Sequence, residues 1–232
     1  MTVRVWLLHT DEPPAVVEEI SHGLSPDERD RCAQLAPEVR AEFVLCRRAL
    51  RELLAEATDR APSSLDFRPG SHGKPALADA AIEFNLSHSD GLAAIAIAER
   101  PVGIDIQQQR TGPGLGRMAE RYFSALEASW LGAAPDSEEL GRRFSRLWSR
   151  KEACAKVTGG RLIPTLAREV STFGNGTFGW TEPAVTGRDL AVPAGHHGAV
   201  AQAGSDSFDV HLAWWSPASP LNPGVLMAGT SC

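Results

Sequence analysis

Hydrophobic and polar positions follow two different periods along this chain, and the period of each segment predicts its secondary structure. Short apolar runs bounded by turn residues predict strands at 3–9, 82–86, 92–98 and 102–107. Because only the turn at 99–101 separates the last two runs, they are predicted to form a hairpin.

Apolar residues that recur every three or four positions predict the helices. The segment Ser25–Glu28 has the N-cap and first-turn residues with which a helix begins. Further helices are predicted at 37–57, 117–131 and 137–157. Beyond them the chain has short strand candidates broken by Gly and Pro, the last of them at 208–215.

The order of these elements predicts an α/β (α+β) protein with two halves of similar size. The turn at 99–101 is the expected boundary, which gives an N-terminal half at 1–100 and a C-terminal half at 101–216. Residues 61–80 are rich in turn formers. Residues 217–232 are rich in Pro, Ser and Gly and are predicted to form a flexible tail.

Composition narrows the class of protein. The chain has 232 residues, of which 43% are hydrophobic and 22% charged, so it has the material for a core and is not a disordered chain. Its net charge of −6 argues against a nucleic-acid-binding protein. No apolar run reaches the length of about 18 residues that a membrane span needs. Four scattered cysteines without a CxxC pair favour a reducing compartment, so a cytoplasmic protein without a zinc site is expected.

Lysine is rare in this chain. There are 20 arginines but only three lysines, at positions 74, 151 and 156. A lysine ammonium is a compact point charge that suits a phosphate oxygen or a leaving group. Codon usage explains the count equally well, so the count alone does not decide.

The strand-like run VGIDIQ at 102–107 contains an acid among apolar residues. Alternate side chains of a strand share a face, so Asp105 is expected beside Gly103 and Gln107. A buried carboxylate needs a partner, which a metal ion, an arginine or solvent would supply. Taken alone, a solvated or salt-bridged aspartate is the simpler interpretation.

On the helix predicted at 137–157, four residues at i, i+4 spacing form one stripe: Phe144, Trp148, Glu152 and Lys156. The first two are apolar, so the acid and the lysine are expected to continue a core-facing line to its rim. An ordinary surface Glu–Lys pair is the alternative. Lys151 lies on another face of the helix and is expected to be structural.

A third polar segment, GKPAL followed by FNLSHS, lies at 73–89. The turn residues around Lys74 hold it in place, and Ser87-His88-Ser89 is expected to follow a strand directly, where hydroxyls, imidazole and backbone N–H groups converge on an anion. A single histidine in a loop most often has no such role. Together, hard carboxylates, lysines and a Ser/His loop suit Mg²⁺ and a phosphate-bearing substrate.

The three segments in this order, GKP with FNLSHS, then VGIDI, then WSRKEACAK, closely resemble the motifs of the Sfp-type 4′-phosphopantetheinyl transferases. The resemblance runs from the first strand to about residue 175. It implies two similar α/β halves related by a pseudo-two-fold axis in a single-chain pseudo-dimer, with coenzyme A between them. The implied reaction moves the phosphopantetheine arm of CoA to a serine of an acyl or peptidyl carrier protein and releases adenosine 3′,5′-bisphosphate. A cytoplasmic monomer is expected.

Residue by residue, the resemblance implies that Asp105 and Glu152 hold Mg²⁺ and that Glu152 is also the base for the carrier serine. Lys156 would neutralise the departing phosphate, and His88 would contact the pyrophosphate. The 3′-phosphate and nucleotide end would be bound by the basic and hydroxyl side chains of Arg48, Lys74 and Ser87. The short run CRRAL leaves open whether Arg47 or Arg48 makes this contact.

One position departs from the family pattern. Many members have an acid two residues after the metal-binding aspartate, where this chain has Gln107, so its amide oxygen or a water would have to complete the metal site. Residues 115–131 offer an apolar carrier-binding patch, although a core role explains it equally well; the patch consists of Met118, Tyr122, Phe123 and Leu126. Two other functions stay open: a Mg²⁺-dependent hydrolase of the CoA pyrophosphate, and a homologue that binds CoA or a carrier without catalysis.

Overall fold

The computed structural model describes residues 1–70, 74–78, 81–160, 162–172 and 176–217. Eleven strands are numbered β1 to β11 in chain order: Thr2–His9, Phe67–Pro69, Pro75–Leu77, Glu83–Ser89, Leu92–Ala98, Val102–Gln108, Ser171–Thr172, Thr177–Trp180, Val185–Leu190, His196–Ala203 and Asp209–Trp214. The helices α1 to α7 are Pro14–Ser21, Pro26–Gln34, Pro37–Thr58, Leu115–Tyr122, Ala125–Gly132, Ser137–Val157 and Leu162–Leu166.

Two sheets form the centre of the protein, a mixed sheet and a fully antiparallel one. The first sheet has the order β11-β1-β5-β4, and the second has the order β6-β10-β9-β8-β7. The strands β2 and β3 form a separate two-stranded ribbon. In the first sheet β1 is antiparallel to β5 and parallel to β11, with Val3 opposite Val210. The chain passes from the first sheet to the second between β5 and β6, and β11 brings it back.

The two sheets pack face to face, and a long helix covers the outer face of each. Apolar side chains of β1, β5, β6 and β10 fill the space between the sheets. Leucines of α3 pack on the other face of the first sheet, and Phe144, Leu147 and Cys154 of α6 pack on the other face of the second. The layers therefore run helix, sheet, sheet, helix, and the central strands are buried on both faces.

Side chains of β4 join the two sheets. In a strand every second side chain points the same way, and Asn85, Ser87 and Ser89 all face β6. Their side-chain oxygens accept hydrogen bonds from backbone N–H groups of β6, which also lie at every second residue. The donors are Ile104, Ile106 and Gln108, at 2.9–3.2 Å. The free edge of β6 is thus paired with side chains rather than with another strand, which meets the need of its buried N–H groups for acceptors.

Local signals define both ends of helix α6. Asp136 accepts a hydrogen bond from the N–H of Glu139 at its N-terminus, acidic residues lie in its first turn, and Lys156 lies in its last. This distribution of charge is favourable for the helix dipole. The ends predicted at 137 and 157 are confirmed.

Several predicted elements differ from the structure. The hairpin predicted from 92–98 and 102–107 is wrong, because β5 is paired on both sides by β1 and β4, and β6 opens the other sheet. The tight hairpin is β4–β5, in which Asp90 and Gly91 both have positive φ, as a type I′ turn requires. The helix predicted at 117–131 is two helices, because Ser124 forms a capping box with Glu127 and starts α5.

Further differences lie at the ends and in the turn-rich region. The strand predicted at 208–215 is confirmed as β11, but it lies in the sheet of the N-terminal half. Helix α1 and the ribbon β2–β3 within 61–80 were not predicted. The predicted tail beyond residue 217 lies outside the described residues.

Across the described part of the chain, no helix is long and apolar enough to span a membrane. In the same part, Cys32, Cys46 and Cys154 have free thiols.

Candidate functional site

A cavity of about 860 Å³ opens between α3, the ribbon and strand β4. Five basic side chains line it, and Glu42 is the single acid among the described residues of its wall. The basic residues are Arg31, Arg47, Arg68, Lys74 and Lys156. In a protein of net charge −6, such a wall concentrates positive potential where an anionic ligand would enter.

A second cavity of about 250 Å³ adjoins the first, and its walls are mainly polar. The two share Leu86, His88 and Lys156. The smaller one contains the residues that the sequence singled out on three separate segments, namely Ser87, His88, Asp105, Gln107, Glu152 and Lys156. The fold therefore brings these segments together.

Asp105 lies at the bottom of the smaller cavity and is 3% exposed. Its Oδ1 accepts hydrogen bonds from Ser87 Oγ at 2.9 Å and from Lys156 Nζ at 2.7 Å. Its Oδ2 is buried without a hydrogen-bond partner in the described structure. Burial raises the pKa of Asp105 to about 7; the Lys156 ammonium opposes this shift, and the neighbouring Glu152 carboxylate adds to it. A carboxylate with an unsatisfied buried oxygen is suited to a cation.

Gly103 lets α6 approach Asp105. It lies two residues before the aspartate on the same face of β6, and a Cβ there would collide with the backbone oxygen of Ala153 on α6. Only glycine permits this contact. The close packing places the last two turns of α6, with Glu152 and Lys156, over the carboxylate.

Glu152 is held between two donors of its own helix, each one turn away. The indole Nε1–H of Trp148 donates to Oε1 at 2.7 Å, and Lys156 Nζ lies 3.4 Å from Oε2. Trp148 is partly buried against the core. The stripe predicted from i, i+4 spacing is therefore confirmed, and it runs from the core at Phe144 to the cavity at Lys156.

The polar segment on β4 differs from its prediction. Ser87 and His88 do not follow the strand but are part of it, since β4 extends to Ser89. Strand alternation sends Ser87 toward Asp105 and His88 toward α3, where its Nδ1 lies 2.9 Å from Oε1 of Glu42. Because of this split, the segment contributes to both cavities.

The basic residues predicted for the nucleotide end are placed differently from one another. Lys74 lines the large cavity, where its Nζ donates to the backbone oxygen of Val102 at 2.9 Å, and burial lowers its pKa. Arg48 does not line the cavity: it pairs with Glu52 at 2.5 Å on another face of α3. Its neighbour Arg47 does line it. Of the two alternatives left open by the run CRRAL, the structure places Arg47 in the cavity.

Gln107 lies at the rim of the smaller cavity. Its amide oxygen accepts a hydrogen bond from Arg110 Nη2 at 3.3 Å, and its amide N–H donates to the backbone oxygen of Gln108. An amide oxygen has two lone pairs, so the bond to Arg110 leaves a position for a further partner.

The donor set fits Mg²⁺, which prefers carboxylate and amide oxygens. Asp105 and Glu152 supply the carboxylates and Gln107 the amide oxygen. No group of three or more His, Cys, Asp or Glu side chains suited to a metal occurs among the described residues. Any metal held here would therefore depend on two acids, and its other ligands would come from the amide, water or substrate.

Sequence reasoning left Arg47 as one of two alternatives and missed its partners in this site, Arg31, Phe43 and Phe67. Arg47 lies over the rings of Phe43 and Phe67 in the large cavity, and Arg31 also lies over Phe43. The i, i+4 spacing of Phe43 and Arg47 on a helix was a signal for this pair. In the predicted carrier-binding patch Phe123 is buried, Met118 and Tyr122 are partly buried against the core, and Leu126 is 70% exposed.

The sequence of this chain is similar to those of known proteins. The profile of the 4′-phosphopantetheinyl transferase superfamily matches residues 101–184, which include β6 and α6. The 4′-phosphopantetheinyl transferase HetI of Nostoc sp. strain PCC 7120 is 36% identical over 163 residues, covering 68% of this chain and 68% of its own length. The 4′-phosphopantetheinyl transferase Sfp of Bacillus subtilis strain 168 is 30% identical over 161 residues, covering 68% of this chain and 70% of its own.

Proposed function

Since this chain belongs to the 4′-phosphopantetheinyl transferase superfamily, we propose that it transfers the 4′-phosphopantetheine arm of CoA to a serine of an acyl or peptidyl carrier protein. The reaction depends on Mg²⁺ and releases adenosine 3′,5′-bisphosphate. The observation that carries this proposal is the meeting of Asp105, Glu152 and Lys156 at the inner end of a basic cavity.

The large cavity takes the nucleotide end of CoA. Its basic wall suits the phosphates, and the stack of Arg47 between Phe43 and Phe67 presents flat surfaces to the adenine. Lys74 and Arg47 bind the 3′-phosphate side. His88, which lines both cavities, contacts the pyrophosphate.

The smaller cavity carries out the transfer. Asp105, Glu152 and Gln107 would hold Mg²⁺. Neutralising charge on the phosphoryl oxygens is the chemistry that the bound metal supplies. Phosphoryl transfer needs positioning and charge neutralisation rather than a covalent intermediate, and this site offers both.

The protein groups act on the proton and on the leaving group. The hydroxyl oxygen of the carrier serine attacks the phosphorus that bears the pantetheine arm, and Glu152 accepts the hydroxyl proton directly or through a water. The bond between that phosphorus and the bridging oxygen breaks. The bridging oxygen leaves on the nucleotide with the electron pair, where Lys156 neutralises its charge. Lys156 Nζ already lies 2.7 Å from Asp105, at the inner end of the cavity.

We further propose that the two sheet-and-helix layers are the two similar halves of a pseudo-dimer within one chain. The N-terminal half is 1–100 with β11 added, and the C-terminal half is the rest of 101–216. The packing of α3 on one sheet and α6 on the other supports this division. Because both walls of the cleft come from one chain, the protein acts as a monomer. The free thiols of Cys32, Cys46 and Cys154 in the described part of the chain favour the cytoplasm.

The test is the intact mass of an apo carrier protein after incubation with this protein, CoA and Mg²⁺. We expect a gain of one phosphopantetheine, lost on addition of EDTA and in Glu152→Ala. Consumption of CoA without a gain in carrier mass would instead indicate a pyrophosphate hydrolase. Intact CoA and an unchanged mass, across fatty-acid, polyketide and peptide carriers, would contradict catalysis.

A further inference from the structure

The indole of Trp148 makes a contact that its core position does not explain. Most of its ring packs in the core, stacked on Phe144 with ring centroids 5.8 Å apart and tilted against Phe123 at 6.3 Å. Its one polar atom points the other way and donates to Glu152 at 2.7 Å. The aromatic contacts therefore fix the direction from which this carboxylate receives a hydrogen bond.

Without that donor, Glu152 has another partner. Lys156 lies one turn further along α6, with its Nζ 3.4 Å from the second carboxylate oxygen. An i, i+4 pair of Glu and Lys on a helix closes readily. Trp148 and Lys156 thus contact different oxygens of the Glu152 carboxylate. The hydrogen bond from the indole keeps the carboxylate from turning fully toward the lysine.

Arg110 connects Trp148 to the other side of the cavity. Its guanidinium lies 4.5 Å from the Trp148 ring centroid and also donates to the amide oxygen of Gln107. The backbone N–H of Arg110 donates to Ser145 Oγ on α6 at 2.7 Å. A Cβ at Gly141 would collide with the backbone oxygen of Arg110, so this loop lies directly on the helix.

We propose that Trp148, with Arg110 stacked on its ring, is a positioning residue that sets Glu152 and Gln107 in their metal-binding orientations. It touches neither substrate nor metal and acts through these two side chains. The inference rests on the proposed function, because the orientation matters only if the cavity holds a divalent cation. Partners behind a ligand commonly contribute about tenfold or more to metal affinity.

The test compares Trp148→Phe with Trp130→Phe. Phenylalanine at 148 keeps an aromatic ring for Phe144, Phe123 and Arg110 but has no N–H for Glu152. Trp130 is the matched control: it is 45% exposed on α5, Arg143 lies 5.0 Å from its ring, and its indole N–H donates to no acid among the described residues. Binding of Mn²⁺ is measured by electron paramagnetic resonance with CoA present and no carrier, beside urea unfolding.

We expect Trp148→Phe to weaken Mn²⁺ binding about tenfold, while Trp130→Phe binds as the wild type does. In the transfer assay Trp148→Phe should need about tenfold more Mg²⁺, recover its kcat to within about threefold at saturating Mg²⁺, and keep its KM for CoA. Equal Mn²⁺ affinity in wild type and Trp148→Phe would overturn the positioning role, even if the variant were less stable. Absence of Mn²⁺ binding in the wild type would instead remove the proposed metal site itself.

Discussion

Lys151 and Glu152 are neighbours in sequence, yet replacing them should have opposite consequences. Lys151 is 0% exposed, and its Nζ lies 2.7 Å from Glu127 Oε2 and donates to the backbone oxygens of Leu166 at 2.8 Å and Arg168 at 2.6 Å. Burial lowers the pKa of Lys151, while Glu127 raises it. The lysine thereby ties α5 and the segment after α7 to α6.

The change Lys151→Met keeps an unbranched chain of similar length but removes the ammonium. The carboxylate of Glu127 then retains only backbone donors, the N–H groups of Ser124 at 3.0 Å and Val170 at 2.9 Å. Leaving one charge of a buried pair without its partner costs about 3–5 kcal/mol. Since the free energy of unfolding of natural domains is about 5–15 kcal/mol, about a fifth or more of the stability should be lost.

Urea unfolding followed by far-ultraviolet circular dichroism measures this loss as a lower midpoint at unchanged slope. The double variant Lys151→Met with Glu127→Gln should regain about 2 kcal/mol, because the amide keeps an acceptor for one N–H without a buried charge. Glu152→Gln, at the next position, should change the unfolding free energy by less than about 1 kcal/mol. A Lys151→Met protein within about 1 kcal/mol of wild type would refute the assignment of a buried ion pair.

Three other results are expected. Glu152→Gln should lower kcat by about 100-fold or more through loss of the base and of a metal-binding charge, measured by carrier mass against time; an unaltered rate would exclude Glu152 from the chemistry. Arg47→Ala should raise the KM for CoA about tenfold, as loss of a charged hydrogen bond predicts, and Arg48→Ala by less than about twofold; the reverse order would contradict the placement of Arg47 in the cavity. Iodoacetamide at mildly alkaline pH should label Cys32 but not Cys46 in the native protein, because burial raises the pKa of the Cys46 thiol to about 12. Peptide mass mapping measures the labelling of each cysteine, and equal labelling would disprove the burial of Cys46.

Local patterns predicted the helices better than the pairing of strands. The ends of α6 were predictable because capping and dipole residues are local signals. The false hairpin arose from a three-residue turn at 99–101, which joins β5 to β6 without pairing them. Whether consecutive strands pair depends on which edges are already occupied, and that is a property of the whole sheet. The Asp90-Gly91 turn was the local signal for the true hairpin.

The candidate site was predictable where its residues lie on one helix at a regular spacing. The stripe from Phe144 to Lys156 follows from helical period alone. The choice between Arg47 and Arg48 does not follow from the helical period. Side chains at adjacent helix positions point in directions about 100° apart, and the run CRRAL does not show which direction faces the cavity. The hydrogen bond from Arg110 to Gln107 joins a loop to a strand end, and it is stabilised through Trp148 on a distant helix. No single segment contains the information for such a contact.

The polar side chains of the segment Asn85–Ser89 contribute both to the packing of the two sheets and to the candidate site. Its asparagine and serines at alternate positions bind the edge of β6 and set the register between the two sheets. The middle one, Ser87, also donates to Asp105 Oδ1 at 2.9 Å. A shift of one residue in this register would turn His88 toward β6 and Ser87 toward α3. Contacts between the two sheets therefore also place Ser87 beside Asp105, whereas the packing at Gly103 places Glu152 and Lys156 over it, so the proposed active site is complete only where the two sheets meet.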